Sequence, residues 1–482
     1  MTNTTAHILY KAALMYLPTL LQSLPRIPDL TVALRMLCGM EIADIMEKYF
    51  IPKLREHGIA RTYIKGKSGV MVSKLDYFKQ IYRDTVTFPK VPLTSAKFSL
   101  NYKFVGANII FTNGKEWKLR REIVWPIFQL GWEPSNIGEV VLEFFKELDT
   151  KKAIPDMYHA VQLMTLDILG KVLYGYNFEA IRHPDSKHVT TYYVATKAAL
   201  DMLYISFPIL DRFVFGKRKI ELQAVESFRS WLGKLAIDKA KMLDSKSSNQ
   251  KFNDLLSVLV EAWTEKKLSF DEMLNEAIVL SIAGHDTTAS SLSSVIYILA
   301  KYPAIQERVR DEVIHEFKAH TSSLDIPSTV ELKRLNYLEA TIKESMRLYP
   351  PAPLLPTRMA ACDTMLGDIP IPKGSLVTLN IYALQRDEHY WENPTKLEPE
   401  RWLNSEGQVQ DLPAWCPFTN GSRLCIGKSF AMNEMKIVLS MLVRRYSFSL
   451  PENSPHQETI QFGSSVVCNP QNLEILYTKL HE

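Results

Sequence analysis

The sequence predicts one large domain that is mainly α-helical with a small β portion. Apolar residues recur at helical spacing from about Gly114 to Tyr349, which indicates a series of amphipathic helices. Strand-like fragments lie outside this stretch, at Ala60–Ile64, Gly69–Val72, Leu376–Ile381 and Ser464–Val467. Because no internal repeat and no low-complexity linker divides the chain, we expect a single domain.

The composition is that of a protein with a large packed core. Of 482 residues, 46% are hydrophobic and 23% are charged, which argues against a disordered chain. The formal net charge of +4 is small for this length, so we expect no nucleic acid or other polyanion as a partner. The five cysteines are scattered and contain no C-x-x-C pair, which fits neither a disulfide framework nor a zinc site. A reducing compartment is the better interpretation.

The first 24 residues are apolar, but they do not form a clean membrane span. His7–Gln22 is interrupted by Lys11 and Pro18, whereas a spanning helix needs about 20 apolar residues. No small-residue cleavage site of a secretory signal follows. We interpret residues 1–24 as a membrane-anchoring or interfacial segment, with a soluble amphipathic helix as the alternative, and residues 25–482 as the body of the protein.

Further helices and loops follow along the chain. Amphipathic helices are predicted around Glu41–Leu54 and Asp76–Arg83, on either side of the first two strands. Within the long helical stretch, the polar segments Asp244–Asn253 and His320–Ser328 are predicted to be surface loops.

One cysteine stands in a sequence setting that favours an anion. Gly421 lies four residues before Cys425 and Gly427 two residues after it, and glycines permit a tight turn in which amide groups approach the sulfur. The helix predicted from Lys428 directs its positive end at the same place. Such a site favours a thiolate, which is the ligand that a haem iron needs to favour O–O cleavage.

The residues around this cysteine form a longer pattern. They resemble the haem-binding signature of the cytochrome P450 superfamily, F-x-x-G-x-R-x-C-x-G, at the fixed positions Phe418, Gly421, Arg423, Cys425 and Gly427. A structural cysteine in a glycine-containing turn is the alternative for this motif alone. The resemblance implies one large cytochrome P450 fold in which Cys425 is the axial metal ligand of haem b, and residues 25–482 are then its haem-thiolate catalytic domain. Phe418 is placed to shield the sulfur from water, and Arg423 to meet a haem propionate.

A second motif lies in a long apolar helix that is predicted to begin at the capping box of residues 269–272. The segment 283–288, Ala-Gly-His-Asp-Thr-Thr, contains several poor helix formers. Their presence in a helix therefore indicates a role other than helix stability. The segment resembles the family's central helix, and the resemblance implies that Asp286 relays protons while Thr287 assists oxygen activation. The alternative is a kinked helix in which the threonine is buried and its hydroxyl has a hydrogen-bond partner. His285 is expected to be a bystander.

A third motif places opposite charges on one helix face, at Glu344 and Arg347. With the Pro399–Trp402 segment it resembles the E-x-x-R and P-E-R motifs of the family. The resemblance implies a buried charge network of Glu344, Arg347 and Arg401 that holds the loop presenting Cys425. Removing one member would leave the others as buried charges without a partner. The free energy of unfolding would then fall by several kcal/mol.

Further residues are candidates for contact with the haem propionates. Trp117 and Arg121 lie four residues apart on one predicted helix, which suits an indole N–H and a guanidinium aimed at one carboxylate. They resemble the propionate-binding helix of the family, and Arg358 matches another position that contacts a propionate.

Together these motifs cover the chain from about Glu41 to Ile475. They imply a monooxygenase that inserts one oxygen atom of O2 into an apolar small molecule such as a steroid, terpenoid, fatty acid or xenobiotic. Electrons must come from a partner, because no flavin- or nicotinamide-binding glycine fingerprint follows a strand. We expect NADPH-cytochrome P450 reductase, with cytochrome b5 as a second donor, on the cytoplasmic face of the endoplasmic reticulum membrane, in a eukaryotic, fungal, microsomal-type enzyme.

Two surfaces are expected from the same resemblance. The substrate pocket would be lined by five apolar segments, Val91–Ile110, Ala195–Phe213, Ile278–Ala283, Ala352–Leu355 and Phe462–Val467. A local basic face for an acidic reductase would consist of Lys115, Lys118, Arg120, Lys428 and Lys436, with ordinary solvated lysines as the alternative.

Two other functions are compatible with the cysteine motif. One is an isomerase or dehydratase of the same family that needs neither O2 nor a reductase; such enzymes usually lack the acid–alcohol pair that is intact here at Asp286 and Thr287. The other is a non-catalytic haem carrier or sensor, which needs no proton relay and no large apolar pocket.

Overall fold

A helix of 32 residues, Phe270–Lys301, runs through the centre of the structure. Its predicted capping box is formed, because the Glu272 amide donates to the Ser269 hydroxyl and the Ser269 amide donates to the Glu272 carboxylate. From Met273 to Ala300 the helix is buried almost without interruption. A helix that is buried all round belongs to the core of a large domain, so this element organises the packing of the others.

The computed structural model describes residues 23–64, 67–93, 97–151, 153–245, 254–463 and 465–480. The described part is mainly helical, as the sequence predicts. In chain order the α-helices are α1 Asp29–Leu37, α2 Ile42–Ile45, α3 Ile51–Leu54, α4 Leu75–Arg83, α5 Leu100–Val105, α6 Gly114–Leu130, α7 Pro134–Leu148, α8 Met157–Leu169, α9 Lys187–Ala199, α10 Met202–Ser206, α11 Lys217–Ser245, α12 Leu255–Thr264, α13 Phe270–Lys301, α14 Pro303–Glu316, α15 Thr329–Leu332, α16 Asn336–Leu348, α17 Ile381–Leu384 and α18 Lys428–Arg445.

The β portion is small and divided among three sheets. The strands are β1 Ile59–Ile64, β2 Lys67–Val72, β3 Ala153–Ile154, β4 Arg358–Met359, β5 Thr364–Leu366, β6 Ile369–Ile371, β7 Leu376–Leu379, β8 Tyr446–Ser449 and β9 Ile475–Lys479. The largest sheet has the order β1-β2-β7-β4, in which β2 and β7 are parallel and the outer pairs are antiparallel. It therefore joins the N-terminal strands to the chain that follows α16.

Most of the predicted elements are confirmed. The predicted helix at Glu41–Leu54 is present as α2 and α3 joined by a π-helical turn, and the loop at His320–Ser328 contains neither helix nor strand. Of the loop predicted at Asp244–Asn253, residues 246–253 lie outside the described residues, as do residues 1–22 of the predicted anchor. None of the helices in the described part of the chain combines the length and the apolar character that a membrane-spanning segment needs.

The strand predicted at Ser464–Val467 is wrong, because residues 465–467 form no strand. They belong to a loop that is closed by a bridge between Phe462 and Pro470 and by the Gly463 amide, which donates to Asn469. Val467 is buried by packing within this loop rather than by strand pairing, and a short apolar run cannot distinguish the two.

Candidate active site

The loop that presents Cys425 is held by its own backbone. The Cys425 amide donates to the Phe418 carbonyl oxygen at 2.9 Å. Gly421 has a φ of +67°, and a Cβ there would lie 3.0 Å from the Tyr82 carbonyl oxygen, so the turn requires glycine at this position. Gly427 has an ordinary φ of −87°, and therefore its place in the motif does not come from a left-handed backbone.

The Cys425 sulfur lies at the start of α18, as the sequence predicts. Burial raises the pKa of the thiol, while the Gly427 amide, Arg121 and the Lys428 amide lower it. The residue nevertheless has an exposed surface. A side chain that is deep in the protein and yet accessible faces an internal cavity. A bound metal ion deprotonates a coordinating thiol, which opposes the effect of burial on this group.

Four cations gather around this region without an acidic partner. Lys90, Arg121, Arg358 and Arg423 have no carboxylate of the described residues within ion-pair distance, although Arg358 is only 1% exposed and Lys90 only 8%. The Nε atoms of Arg358 and Arg423 have no hydrogen-bond partner in this part of the chain. Buried cations of this kind call for an anion that the protein itself does not supply.

The pKa shifts of these groups have the same origin. Burial, with repulsion from Arg358 and Arg121, lowers the pKa of Arg423 to about 9, and burial lowers the pKa of Arg358 to about 10. Burial, Arg358 and Arg423 lower the pKa of Lys90 well below its ordinary value. These shifts show that burial and mutual repulsion destabilise the positive charges, and a bound dianion would relieve that repulsion. The two propionates of haem b fit this requirement.

Trp117 lies between two of the arginines. Its ring centroid is 4.1 Å from the Arg423 guanidinium carbon and 5.9 Å from that of Arg121. Arg121 also donates to the Leu424 carbonyl oxygen at 3.1 Å, directly before Cys425. The structure thus brings Arg423 together with Trp117 and Arg121, which lie about 300 residues earlier in the chain.

Sequence reasoning missed Lys90 and the residue that positions it. The Asn113 side chain accepts from the Lys90 amide and donates to the Lys90 carbonyl oxygen, both at 2.9 Å, and it also accepts from Arg423 at 3.2 Å. Lys90 is bridged to Arg358 in antiparallel fashion. A signal was present in the sequence, because a lone lysine between Pro89 and Val91 is unusual in an apolar segment.

The central helix α13 presents one accessible face. Between Met273 and Ala300, the residues that are not buried are Ala283, Gly284 and Thr287, which lie on one side of the helix. The Thr287 hydroxyl donates to the Ala283 carbonyl oxygen at 2.6 Å. Small side chains at 283 and 284 leave room beside the backbone, so this face suits a flat or small ligand.

Asp286 is held on a different side of the same helix. It is 6% exposed and accepts a hydrogen bond from Gln162 of α8 at 3.0 Å. The His285 ring lies 3.1 Å from the same carboxylate oxygen. The structure therefore shows no hydrogen bond between Asp286 and Thr287, although the two residues are adjacent.

The predicted charge network is present and fully buried at its centre. Glu344 and Arg347 are both 0% exposed, and Arg347 donates to both Glu344 carboxylate oxygens at 2.8 Å. Arg401 donates to Glu344 at 3.1 Å. Trp402, which sequence reasoning did not assign, donates its indole N–H to the same carboxylate at 3.0 Å. With the Glu398 amide at 2.9 Å, five N–H groups from four residues donate to this one buried carboxylate.

The predicted basic face is wrong at two of its five positions. Arg120 is 1% exposed and forms ion pairs with Glu116, Glu272 and Glu276. Lys436 is 6% exposed and is bound to Glu339 and to the Leu332 carbonyl oxygen. Lys115 and Lys118 are exposed, and Lys428 is partly exposed.

Comparisons with known proteins agree with this geometry. The model of the family described as "Cytochrome P450" matches residues 30–477. The chain is 28% identical to cytochrome P450 4A14 of Rattus norvegicus over 98% of this chain and 94% of the relative. It is 30% identical to cytochrome P450 4F8 of Homo sapiens over 74% of this chain and 71% of the relative. It is 26% identical to probable cytochrome P450 4d21 of Drosophila melanogaster over 85% of each chain.

Proposed function

The chain belongs to the cytochrome P450 family, and from this membership we propose how its own residues serve the reaction. The protein is a haem-thiolate monooxygenase that inserts one oxygen atom of O2 into an apolar small molecule. When bound, haem b supplies the activation of dioxygen with two electrons and two protons, and the second oxygen atom leaves as water. What remains to be assigned is the part that each side chain takes.

One observation carries the assignment of the site. The accessible thiol of Cys425 and the four cations Lys90, Arg121, Arg358 and Arg423, which have no acidic partner in the described part of the chain, together match a ligand that offers a metal and two carboxylates. In this proposal Cys425 ligates the iron, the cations hold the propionates, and Phe418 keeps water from the sulfur.

The central helix supplies the proton-handling residues in this proposal. Thr287 stands on the accessible face of α13, and its hydroxyl can exchange the Ala283 carbonyl for a partner on that face. Asp286, held by Gln162, delivers protons toward Thr287. Ala283 and Gly284 leave the space in which oxygen and substrate meet.

The substrate class is an apolar molecule such as a fatty acid, steroid, terpenoid or xenobiotic. The decisive experiment incubates the holoenzyme with reductase, NADPH and each candidate under oxygen-18 gas, after a spectral screen for substrate binding. We expect one labelled oxygen atom in the product. A product without label would contradict oxygen insertion and favour the isomerase or dehydratase.

The electron donor in this proposal is NADPH-cytochrome P450 reductase, with cytochrome b5 as a further donor. The exposed Lys115 and Lys118 lie on α6, the helix whose Arg121 contacts the Cys425 loop, and Lys428 begins α18. Replacing Lys115 and Lys118 by Glu should weaken reductase binding and flatten its dependence on ionic strength, while reduction by dithionite stays unchanged. A salt dependence like that of the unaltered protein would place the docking surface elsewhere.

The protein's place in this proposal is the cytoplasmic face of the endoplasmic reticulum membrane. Support comes from the segment 207–220, where the apolar residues Phe207, Ile209, Phe213, Phe215 and Ile220 are exposed. Exposed Arg212, Lys217 and Lys219 accompany them, and a mixture of exposed apolar and basic side chains suits a membrane surface.

A deletion and a pair of substitutions test the two proposed membrane contacts separately. Removing residues 1–24 should release most of the protein from microsomes, and replacing Phe213 and Phe215 by Ser in that shortened chain should release the rest. If the doubly altered protein still pellets with the membranes, neither segment is the anchor.

A further inference from the structure

Glu276 is a completely buried carboxylate of α13 that has no part in the proposed haem site. It is 0% exposed, and its Oε1 atom accepts from Arg120 at 2.9 Å. Its Oε2 atom accepts from the Ile109 amide at 3.2 Å. Arg120 has two further carboxylate partners, Glu116 and Glu272. Of these three carboxylates, Glu276 is the one that bonds to the connection between α5 and α6 in the described part of the chain.

The connection between α5 and α6 forms a strap, residues 106–113, with hydrogen bonds of its own. The Asn108 side chain donates to the carbonyl oxygens of the two residues before Ala107 and Asn108 respectively at 3.1 Å, and it accepts from the Ile110 amide at 3.0 Å. The Thr112 hydroxyl donates to the Asn108 carbonyl oxygen at 2.9 Å. Asn108 is 0% exposed, so water does not compete for these bonds. The position of the strap as a whole therefore depends on the contacts that it makes with its neighbours.

The strap is held from two sides. On one side, α13 provides the bond to the Ile109 amide, and Asn275 packs so closely against Gly106 that a Cβ there would collide with it. On the other side, Arg423 donates to the Ile109 carbonyl oxygen at 3.3 Å and to the Thr112 carbonyl oxygen at 2.6 Å. Ile109 is thus bonded through its amide to the central helix and through its carbonyl group to the loop that carries Arg423.

Glu276 lies on the same side of α13 as the accessible face. Ala283 and Thr287 follow it by seven and eleven residues, which at about 3.6 residues per turn is close to two and three full turns. The strap therefore contacts α13 about two turns before this face. Ile110, which follows Ile109 in the chain, is partly exposed. Its place between the central helix and the Arg423 loop puts it at the border of the space proposed for haem and substrate.

We propose that Glu276 is a positioning residue that sets the shape of the ligand cavity by holding the strap through the Ile109 amide. This inference rests on the proposed haem site, because the other edge of the strap is bonded to Arg423. Glu276 does not touch the ligand and acts through Ile109 on the place of Ile110. A carboxylate suits this task, since one oxygen binds the Arg120 guanidinium while the other accepts from the backbone amide.

Three variants distinguish this role from that of a structural ion pair. Glu276→Gln keeps a side-chain oxygen that can accept from the Ile109 amide, whereas Glu276→Leu has no acceptor. Glu116→Leu is the matched control, because it also takes a carboxylate from Arg120 and leaves the bonds of the strap in place. If only the ion pair with Arg120 mattered, Glu276→Gln and Glu276→Leu would behave alike.

The first measurement uses phenylimidazoles, whose imidazole nitrogen binds the haem iron while the phenyl ring has to fit the cavity. Spectral titration of the ferric holoenzyme gives the dissociation constants of 1-phenylimidazole and 4-phenylimidazole. We expect the ratio of the two constants to change about fivefold in Glu276→Leu and to stay within about twofold in Glu276→Gln and Glu116→Leu. The same ratio in all three variants and the unaltered protein would overturn the proposal.

The second measurement needs no ligand. In hydrogen–deuterium exchange of the holoenzyme, read by fragmentation mass spectrometry, the strap amides should exchange about tenfold faster in Glu276→Leu than in Glu116→Leu, because the Ile109 amide has lost its acceptor. In the unaltered protein the Ile109 amide should be protected. Exchange of that amide as fast as that of exposed amides would overturn the proposal, whether or not Glu276→Leu folds.

The two proposals can fail separately. If the holoenzyme keeps its thiolate-type absorption and Glu276→Leu changes neither the ratio nor the exchange, the role of Glu276 fails while the haem site stands. If the unaltered protein bound no haem, the proposed site would fail, and exchange of the Ile109 amide would still test whether Glu276 holds the strap.

Discussion

The side-chain oxygen of Gln385 accepts a hydrogen bond from the Cys416 amide at 3.1 Å. The same side chain donates to the carbonyl oxygens of Met346 and Arg347, both at 3.0 Å. Arg347 in turn donates to the Gln385 carbonyl oxygen at 3.0 Å. Gln385, which is 0% exposed, thus connects the Glu344 network to the segment that leads into the Cys425 loop.

Replacing Gln385 by Leu should loosen that connection. It leaves the Cys416 amide and two carbonyl groups buried without partners, at a cost of about 1–3 kcal/mol for each unsatisfied group. We expect a lower thermal midpoint and faster loss of the thiolate-type absorption of the reduced carbon-monoxide complex. Gln408→Leu, at an exposed position, is the matched control. Equal midpoints for the two variants would show that Gln385 does not hold the loop.

Cys425→Ala should abolish the red-shifted band of the reduced carbon-monoxide complex, because it removes the sulfur proposed to ligate the iron. Cys416→Ala is the control, since Cys416 is also buried near this loop and burial raises the pKa of its thiol to about 12. That variant should keep the band. A normal band in Cys425→Ala would mean that the ligand lies elsewhere.

Lys90→Met should weaken haem binding without loss of the fold. The ammonium group is buried beside Arg358 and Arg423, so its removal takes one positive charge from the site of two propionates. We expect transfer of haem to apomyoglobin to become faster by roughly tenfold, which corresponds to about 1.4 kcal/mol. Lys103→Met, at an exposed position on α5, should transfer haem at the unaltered rate. No difference between the two would place Lys90 outside the haem site.

Thr287→Ala should leave haem bound while diverting reducing equivalents to peroxide, because the hydroxyl on the accessible face of α13 is lost. Peroxide and product are measured against NADPH consumed. Thr287→Ser keeps a hydroxyl and should retain most of the coupling, and Thr288→Ala removes a buried hydroxyl on the same helix. The assigned role would be untenable if Thr287→Ala and Thr288→Ala gave the same product yield.

We expect Glu434 to make the stability of the protein depend on pH. It lies in α18, is 0% exposed, and neither carboxylate oxygen has a hydrogen-bond partner among the described residues. Burial raises its pKa from the ordinary value of 4.5 to about 8. An acid with a raised folded-state pKa stabilises the fold at pH values below its unfolded pKa, and that stabilisation is lost as the pH rises to the folded pKa.

Glu434→Gln removes this dependence while preserving the shape of the side chain. Its thermal midpoint relative to the unaltered protein should therefore rise between about pH 5 and about pH 8, since each pKa unit is worth about 1.4 kcal/mol. Glu452→Gln, at an exposed position, should follow the unaltered protein. A constant difference across this pH range would show that Glu434 is ionised in the folded protein.

Some features of the fold could be predicted because they are properties of short stretches of chain. The capping box at Ser269 and the periodicity of the long helices depend on residues within one or two turns of each other. The motif around Cys425 has the same local character, since the turn at Gly421 and the helix starting at Lys428 place the sulfur at a helix N-terminus. The expectation of a fungal source stays a prediction.

Other features depend on which distant segments meet, and spacing along the chain does not carry that information. From the sequence, Arg120 is expected to be a surface cation on a basic helix. It is buried because Glu272 and Glu276, which are more than 150 residues away in the sequence, lie beside it in the folded protein. In the sequence, Lys90 is a single lysine in an apolar segment. In the structure, its contacts with Asn113 and Arg358 make it part of a cation cluster.

The sequence by itself thus determined the fold class, the motif around Cys425 and the charged motifs, because each is encoded by residue type at short spacing. Only the tertiary structure decided which charged groups are buried, which face of α13 is accessible, and that Ile109 lies between Glu276 and Arg423. The physical reason is that burial and hydrogen bonding of a side chain depend on contacts formed across hundreds of residues, and the free energy of a buried charge is set by those contacts.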